Sequence, residues 1–238
     1  MNALVYQLGL QWKMDIRNRG ILLTYYLIPL GFFLFMGGIF TSINPEAYQT
    51  IIPSMTVFGV TMGAVLGMPT QLVTVFGTDI KKSYIIGKIP LWTAVAVNIL
   101  SCFLHLMIMC LIILLTAPIL FDAALPESIG SYFVNTAFFV MATLSVGSVL
   151  GVFVKNSSKL SIVSQVIFLP SVMLSGIMFT TELLPDFLEK AGLILPATWG
   201  FANLCADGIK PDQVLPLFLM IGLSFLIIAF KLRSIRQP

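Results

Sequence analysis

The chain alternates long apolar stretches with short charged ones. Six stretches carry no Asp, Glu, Lys or Arg: residues 20–45, 47–78, 89–121, 128–154, 160–181 and 213–230. A bilayer core about 30 Å thick takes roughly 20 helical residues, so each run can hold one membrane-spanning helix, the sixth at the lower limit. The runs are unbroken mixtures of Leu, Ile, Phe and Met and lack the two-residue alternation of barrel strands. The pattern therefore predicts an all-α membrane protein with six transmembrane helices. The third run overshoots the hydrocarbon, so part of it is expected at an interface, or the helix is expected to tilt or break near Pro118.

Residues 1–20 read as an amphipathic helix, with Leu4, Leu8 and Trp12 four apart and Lys13, Asp15, Arg17 and Arg19 crowded at its end. Such a segment is expected to lie flat in the inner interface. It lacks the short apolar core and small-residue cut site of a removable signal, so the first span is expected to be a retained anchor. Residues 180–213 are the longest stretch outside the membrane. Leu183, Leu184, Phe187, Leu188, Leu193, Ile194 and Leu195 make it too apolar for a solvated loop, and Pro185, Pro196 and Pro211 cut it into pieces. Two short extracytoplasmic helices are expected, dipping into the outer leaflet or packing on the spans, with Trp199 and Phe201 near headgroup level. There is no repeat and no low-complexity linker, so residues 1–238 form one domain.

Composition agrees with the pattern: 58% of residues are hydrophobic and 10% charged, against about a quarter charged in soluble domains. Basic residues remain preferentially on the cytoplasmic side. With the N-terminus inside, that side holds eleven of the thirteen Lys and Arg residues, leaving Lys190 and Lys210 outside with Glu46, Asp122, Glu127, Glu182, Asp186, Glu189, Asp207 and Asp212. Both termini are therefore expected in the cytoplasm. The net charge of +3 follows from this anchoring and gives no reason to invoke nucleic acid. Cys102 and Cys110 fall in the third run and Cys205 stands alone outside, which is no disulfide framework.

Within the spans, Gly59, Gly63 and Gly67 line one helical face and mark a packing seam, either within one chain or across a dimer. Thr143, Gly147 and Gly151 form a similar stripe in the fourth run. Asn98, Ser101 and His105 place the only histidine on a polar face of the third run. An ionisable group in a membrane span invites a functional reading, and a neutral histidine bonded to a neighbouring helix is the plainer one. No Asp or Glu lies deep in any run, which counts against proton- or cation-coupled transport. The fifth run offers Ser161, Ser164, Gln165, Ser171 and Ser175. An intramembrane protease pairing Ser175 with His105 is disfavoured, because Met173 stands where a rhomboid-type motif has glycine. Hydroxyls beside many Met and Phe residues suit passage of amphipathic molecules, or simple helix packing.

No G-x-x-x-x-G-K-[ST] phosphate loop occurs, and no cytoplasmic segment is long enough for a nucleotide-binding domain. The stretch TDIKKSYIIGKIPLW, residues 78–92, is a charged loop between two apolar walls. The six runs, this loop with Gly87, Lys88 and Pro90, and the LSGIMF…LLP…LP run over residues 174–196 resemble the type-2 ATP-binding-cassette (ABC) export permeases across essentially the whole chain. The resemblance implies a non-catalytic transmembrane subunit with no cofactor of its own. It implies two copies of an ABC ATPase subunit carrying ATP and Mg²⁺, and a second permease chain, like or unlike.

It further implies a coupling loop at residues 76–90, with Asp79, Lys81, Lys82, Ser83, Tyr84 and Lys88 at the ATPase; the alternative is that the lysines only fix topology. Asn135, Ser164, Ser171 and Ser175 are expected along the translocation path. The expected cargo is a drug, antimicrobial peptide or lipid-like molecule, and the expected location a plasma membrane of bacterial kind. A secondary transporter or channel using His105 is the alternative.

Overall fold

The computed structural model describes residues 3–43, 48–178, 181–206 and 208–235. Glu46, Phe179, Thr180, Asp207 and Arg236, which entered the charge and motif readings, lie outside them, as does the side chain of Glu182. Among the described residues six helices are long and apolar enough to cross a membrane: Arg19–Ser42, Ile51–Phe76, Leu91–Phe121, Ile129–Phe153, Ser157–Leu174 and Pro211–Ile235. The protein is an all-helical, multi-pass membrane protein.

Helix α1 (Ala3–Arg17) precedes the spans. It stops before residue 20 because Asn18 is extended and its Oδ1 accepts hydrogen bonds from the Gly20 and Ile21 amides, capping a new helix. Arg19 and Gly20 thus open the first span, which comprises α2 (Arg19–Leu22), a π turn at Leu23–Leu27 and α3 (Ile28–Ile43). The second span comprises α4 (Ile51–Met62), a π turn at Gly63–Gly67 and α5 (Met68–Phe76). It is the centre of the bundle and almost wholly buried.

The third span, α7 (Leu91–Phe121), follows the short α6 (Ile80–Ile86). It runs unbroken through Pro118 for 31 residues, so the expected break is absent. At about 1.5 Å per residue a helix of this length is longer than the hydrocarbon is thick, which leaves tilt or an overhanging end to take up the excess. The fourth and fifth spans are α8 (Ile129–Phe153) and α9 (Ser157–Leu174). The fifth ends seven residues short of its charge-free run because Gly176 adopts φ +90, a conformation that L side chains rarely take.

Between the last two spans stand α10 (Asp186–Gly192) and α11 (Pro196–Cys205), the two short helices expected there. They differ in burial. On α10 Phe187 is exposed, whereas α11 buries Ala197, Gly200, Asn203 and Leu204 and presses Gly200 against the Phe139 ring of α8. The sixth span is α12 (Pro211–Ile235), 25 residues long and extended past both ends of its charge-free run.

The glycine stripes explain how the bundle closes. A Cβ on Gly59 would meet the Met109 thioether at 2.7 Å and the Pro29 ring at 3.3 Å, and one on Gly63 would meet Leu106 and Tyr25. Gly67 faces Tyr25 and Thr24. The seam therefore joins the second span to the first and third within one chain. The second stripe does the same on the opposite side: Gly147 abuts the backbone carbonyl of Ala64, and Gly151 abuts Leu72 and Pro69.

Candidate functional site

Helix α6 carries the charged patch between spans two and three. None of its residues is buried. The Lys82 Nζ lies 2.8 Å from Asp79 Oδ1, one turn apart, and that hydrogen bond and charge hold the Asp79 carboxyl below its ordinary range. Both side chains are exposed, so the pair adds little stability. Lys81 Nζ donates to the Phe76 carbonyl at 3.4 Å, and Ser83 is exposed. Tyr84 is half-buried against the core and ties the helix to the bundle.

The end of α6 is closed by Ile89 N–H donating to the Tyr84 carbonyl at 2.8 Å and Lys88 N–H donating to Ile85 at 3.1 Å. This pairing needs a left-handed residue, and the position falls on Lys88, φ +53, rather than on Gly87. What projects outward is a mixed face: Lys82 and Lys88 beside Ile85 and Ile86, the last 82% exposed. At its start, Gly77 packs so closely on the Lys155 carbonyl that a Cβ would meet it at 2.6 Å. The loops after spans two and four therefore touch.

A second constellation forms where α1 meets the polar face of the third span. Helix α1 turns Leu8, Gln11, Trp12 and Asp15 toward the bundle and leaves Leu4, Val5, Leu10 and Met14 outward. The inward face is the more polar one. Asp15 is fully buried: its Oδ1 accepts from Gln11 Nε2 at 2.8 Å and its Oδ2 accepts from Ser101 Oγ at 2.6 Å. The reading that no Asp or Glu lies deep in any span holds, yet a carboxylate still meets the polar face of the third span. Spans one to five contain none, and the carboxylate arrives from α1.

His105, also buried, shares a 2.7 Å hydrogen bond between Nδ1 and the Tyr26 hydroxyl, and the Trp12 indole stacks on its ring with centroids 4.0 Å apart. The π turn lets the consecutive residues Tyr25 and Tyr26 both face α7, where Tyr25 Oη lies 2.8 Å from Cys102 Sγ. Gln71 of α5 completes the network: it donates to Tyr25 Oη at 3.2 Å and accepts from Gln11 at 2.8 Å. Burial pushes the Asp15 carboxyl up, against the opposing effect of its hydrogen bonds to Ser101 and Gln11. Asn98, the third member of the polar face, bonds only back to Ala94 of its own helix among the described residues. A polar reading of the α1 periodicity, with Gln7, Gln11 and Asp15 as a stripe, was the available signal.

The proposed path residues do not converge. Asn135 is buried and its Nδ2 donates to the Asn203 and Gly208 carbonyls at 3.0 Å each, fastening α8 to the segment around α11. It also lines a cavity of about 330 Å³ with Gln49, Glu127, Tyr132 and Asn203. Ser164, Ser171 and Ser175 are not among its walls. All three are buried, Ser164 and Ser171 on α9 and Ser175 at its C-terminal cap, with Ser171 and Ser175 donating to the carbonyls of Ile167 and Val172. His105 and Ser175 keep separate partners, Tyr26 and Val172.

Six spans, a short exposed helix joining two of them and a buried central span define a helical membrane domain. The family model described as ABC-2 type transporter matches residues 7–206, and the chain belongs to this family as a transmembrane subunit. No individual curated protein matches the chain.

Proposed function

We propose that the chain is the transmembrane subunit of an ATP-driven exporter, moved by a separate ATPase that docks on α6. The observation that carries this reading is an exposed helix of mixed charge and aliphatic character, continuous with the ends of two spans, in a chain of this family. A rigid rod so connected transmits a push from the cytoplasmic face into spans two and three. Asp79, Lys81, Lys82, Ser83, Tyr84 and Lys88 form the contact surface, with Tyr84 as the anchor on the permease side. ATP and Mg²⁺ belong to the partner, of which two copies serve a pair of permease chains. The cargo is hydrophobic or amphipathic, because the spans offer hydroxyls, Met and Phe but no free charge to hold an ion. The setting is the plasma membrane with both termini inside, and α1 lies at the inner interface with its aliphatic face toward lipid.

The test is to purify the tagged chain from its native membrane and assay for a stoichiometric ATPase. The reversal Lys81→Glu with Lys82→Glu is expected to abolish stimulation of ATP hydrolysis by cargo while thermal stability falls by no more than about 1 kcal/mol, since only the surface contacts to the Phe76 carbonyl and Asp79 are lost. Retention of coupling in that double variant refutes the docking role of α6.

A further inference from the structure

The buried centre between α1 and α7 carries an imbalance of charge. Asp15 is an acid removed from water, and among the described residues no lysine or arginine pairs with it. Lys13, Arg17 and Arg19, its neighbours in sequence, are exposed. The titratable groups facing it are Tyr25 and Tyr26 from the first span and Cys102 and His105 from α7; α5 contributes only the neutral Gln71. An isolated buried carboxylate costs several kcal/mol, and proteins avoid that by pairing it or by keeping it protonated.

The nearest basic group is the imidazole. Its Nε2 stands 3.9 Å from Asp15 Oδ2 and has no hydrogen-bond partner among the described residues, while Nδ1 is committed to Tyr26. If the Tyr26 hydroxyl donates to Nδ1, the tautomer places a hydrogen on Nε2, on the side of the carboxylate. One further proton neutralises the cluster wherever it resides, as Asp15–COOH beside neutral His105 or as a carboxylate beside imidazolium. These are two arrangements of one protonated state, and the site titrates as a pair.

We propose that Asp15 and His105 form a proton-binding site that locks α1 onto the third span, holding one proton when the helix is docked. The ligand is H⁺, and the responsive element is α1, whose Trp12 covers the imidazole. The sign of the carboxyl's contribution follows from burial: Asp15 is held above its ordinary range, so the stabilisation that its proton gives to docking is present at low pH and is lost as pH rises through that raised value. Gln11 and Ser101 position the carboxylate and soften the loss, since each donates to its ionised form. This inference does not depend on the cargo or on the ATPase.

The experiment uses the full chain in lipid nanodiscs with Trp92→Phe and Trp199→Phe, leaving Trp12 as the only fluorophore of its kind. Its emission is followed between about pH 5 and pH 9, the range a raised carboxylate and an imidazole span. The expected result is a single-proton transition with a red shift on the alkaline side as Trp12 leaves the imidazole. Asp15→Asn, which keeps the shape without the proton, is expected to abolish that transition and leave Trp12 docked throughout. Should Asp15→Asn fail to fold, Ser101→Ala removes a donor to the ionised carboxylate and is expected to move the transition to higher pH. A flat trace in the parent, or a transition unchanged by Asp15→Asn and by Ser101→Ala, overturns the proposal.

Discussion

At the scale of single residues, the close approaches of backbone to backbone make the sharpest forecasts. A Cβ on Gly147 would press on the Ala64 carbonyl, which belongs to the central span and has no rotamer by which to retreat. Gly147→Ala is expected to cost about 1–3 kcal/mol, the range for overpacking, read as a lower thermal transition in a fixed detergent. Gly222→Ala is the contrast. Among the described residues nothing lies within 4 Å of its Cβ position, and alanine is better than glycine in a helix by up to about 1 kcal/mol, so stability is expected to hold or rise. Lys88 offers a third case. It occupies a left-handed position that costs most side chains about 1 kcal/mol or more, so Lys88→Gly is expected to stabilise the α6 turn, while Lys88→Val destabilises it. Hydrogen exchange at the Ile89 amide separates the two. The need for small residues at 59, 63, 67, 147 and 151 was readable from their spacing; the left-handed site at Lys88 was not, because Gly87 beside it is the residue such a turn ordinarily takes.

At the scale of elements, legibility followed the physics that fixes each one. A span must exclude charge over about 20 residues, so its existence is written in one dimension and all six were predicted. Which face of a helix turns inward is a different question, answered by its neighbours. Helix α1 was read by a Leu4, Leu8 and Trp12 stripe, yet Leu4 stays outward while Leu8 and Trp12 turn inward beside Gln11 and Asp15, which find partners on α5 and α7. The rule that apolar faces turn inward holds where water is outside and loses force where lipid is. The π turns are equally silent in sequence, although they set Tyr25 and Tyr26 against α7 and the glycines against them. For α6 the mixed face was legible and leads to a forecast. Ile86 is among the most exposed aliphatic side chains of the chain, so Ile86→Glu is expected to leave folding within about 0.5 kcal/mol and to reduce recovery of the ATPase at least tenfold, as loss of a central apolar contact does. Tyr84→Ala is expected to act differently, loosening α6 from the bundle and lowering thermal stability as well.

At the scale of the whole molecule, the distribution of charge predicts an orientation that a labelling experiment tests. The side bearing α6 and the 155–159 loop carries Lys81, Lys82, Lys88, Lys155 and Lys159, and the two loops meet at Gly77. The opposite end carries Asp122, Glu127, Asp186, Glu189 and Asp212 against only Lys190 and Lys210. Since basic loops stay cytoplasmic, α6 is expected inside and the α8 entrance outside. The cysteines make the measurement simple. Cys102 and Cys110 are wholly buried, and Cys205 alone is exposed. After Cys205→Ala, a cysteine placed at Ser83 is expected to resist a membrane-impermeant maleimide in intact cells and to react in inverted vesicles. A cysteine at Glu127 is expected to show the reverse, and the background chain to react in neither. Labelling of Ser83→Cys from outside refutes the cytoplasmic placement of α6 on which the proposed ATPase docking depends. The proton site would survive that result, because the contact of Asp15 with Ser101 and His105 lies within the chain whichever way it is inserted; only the compartment whose pH it senses would change.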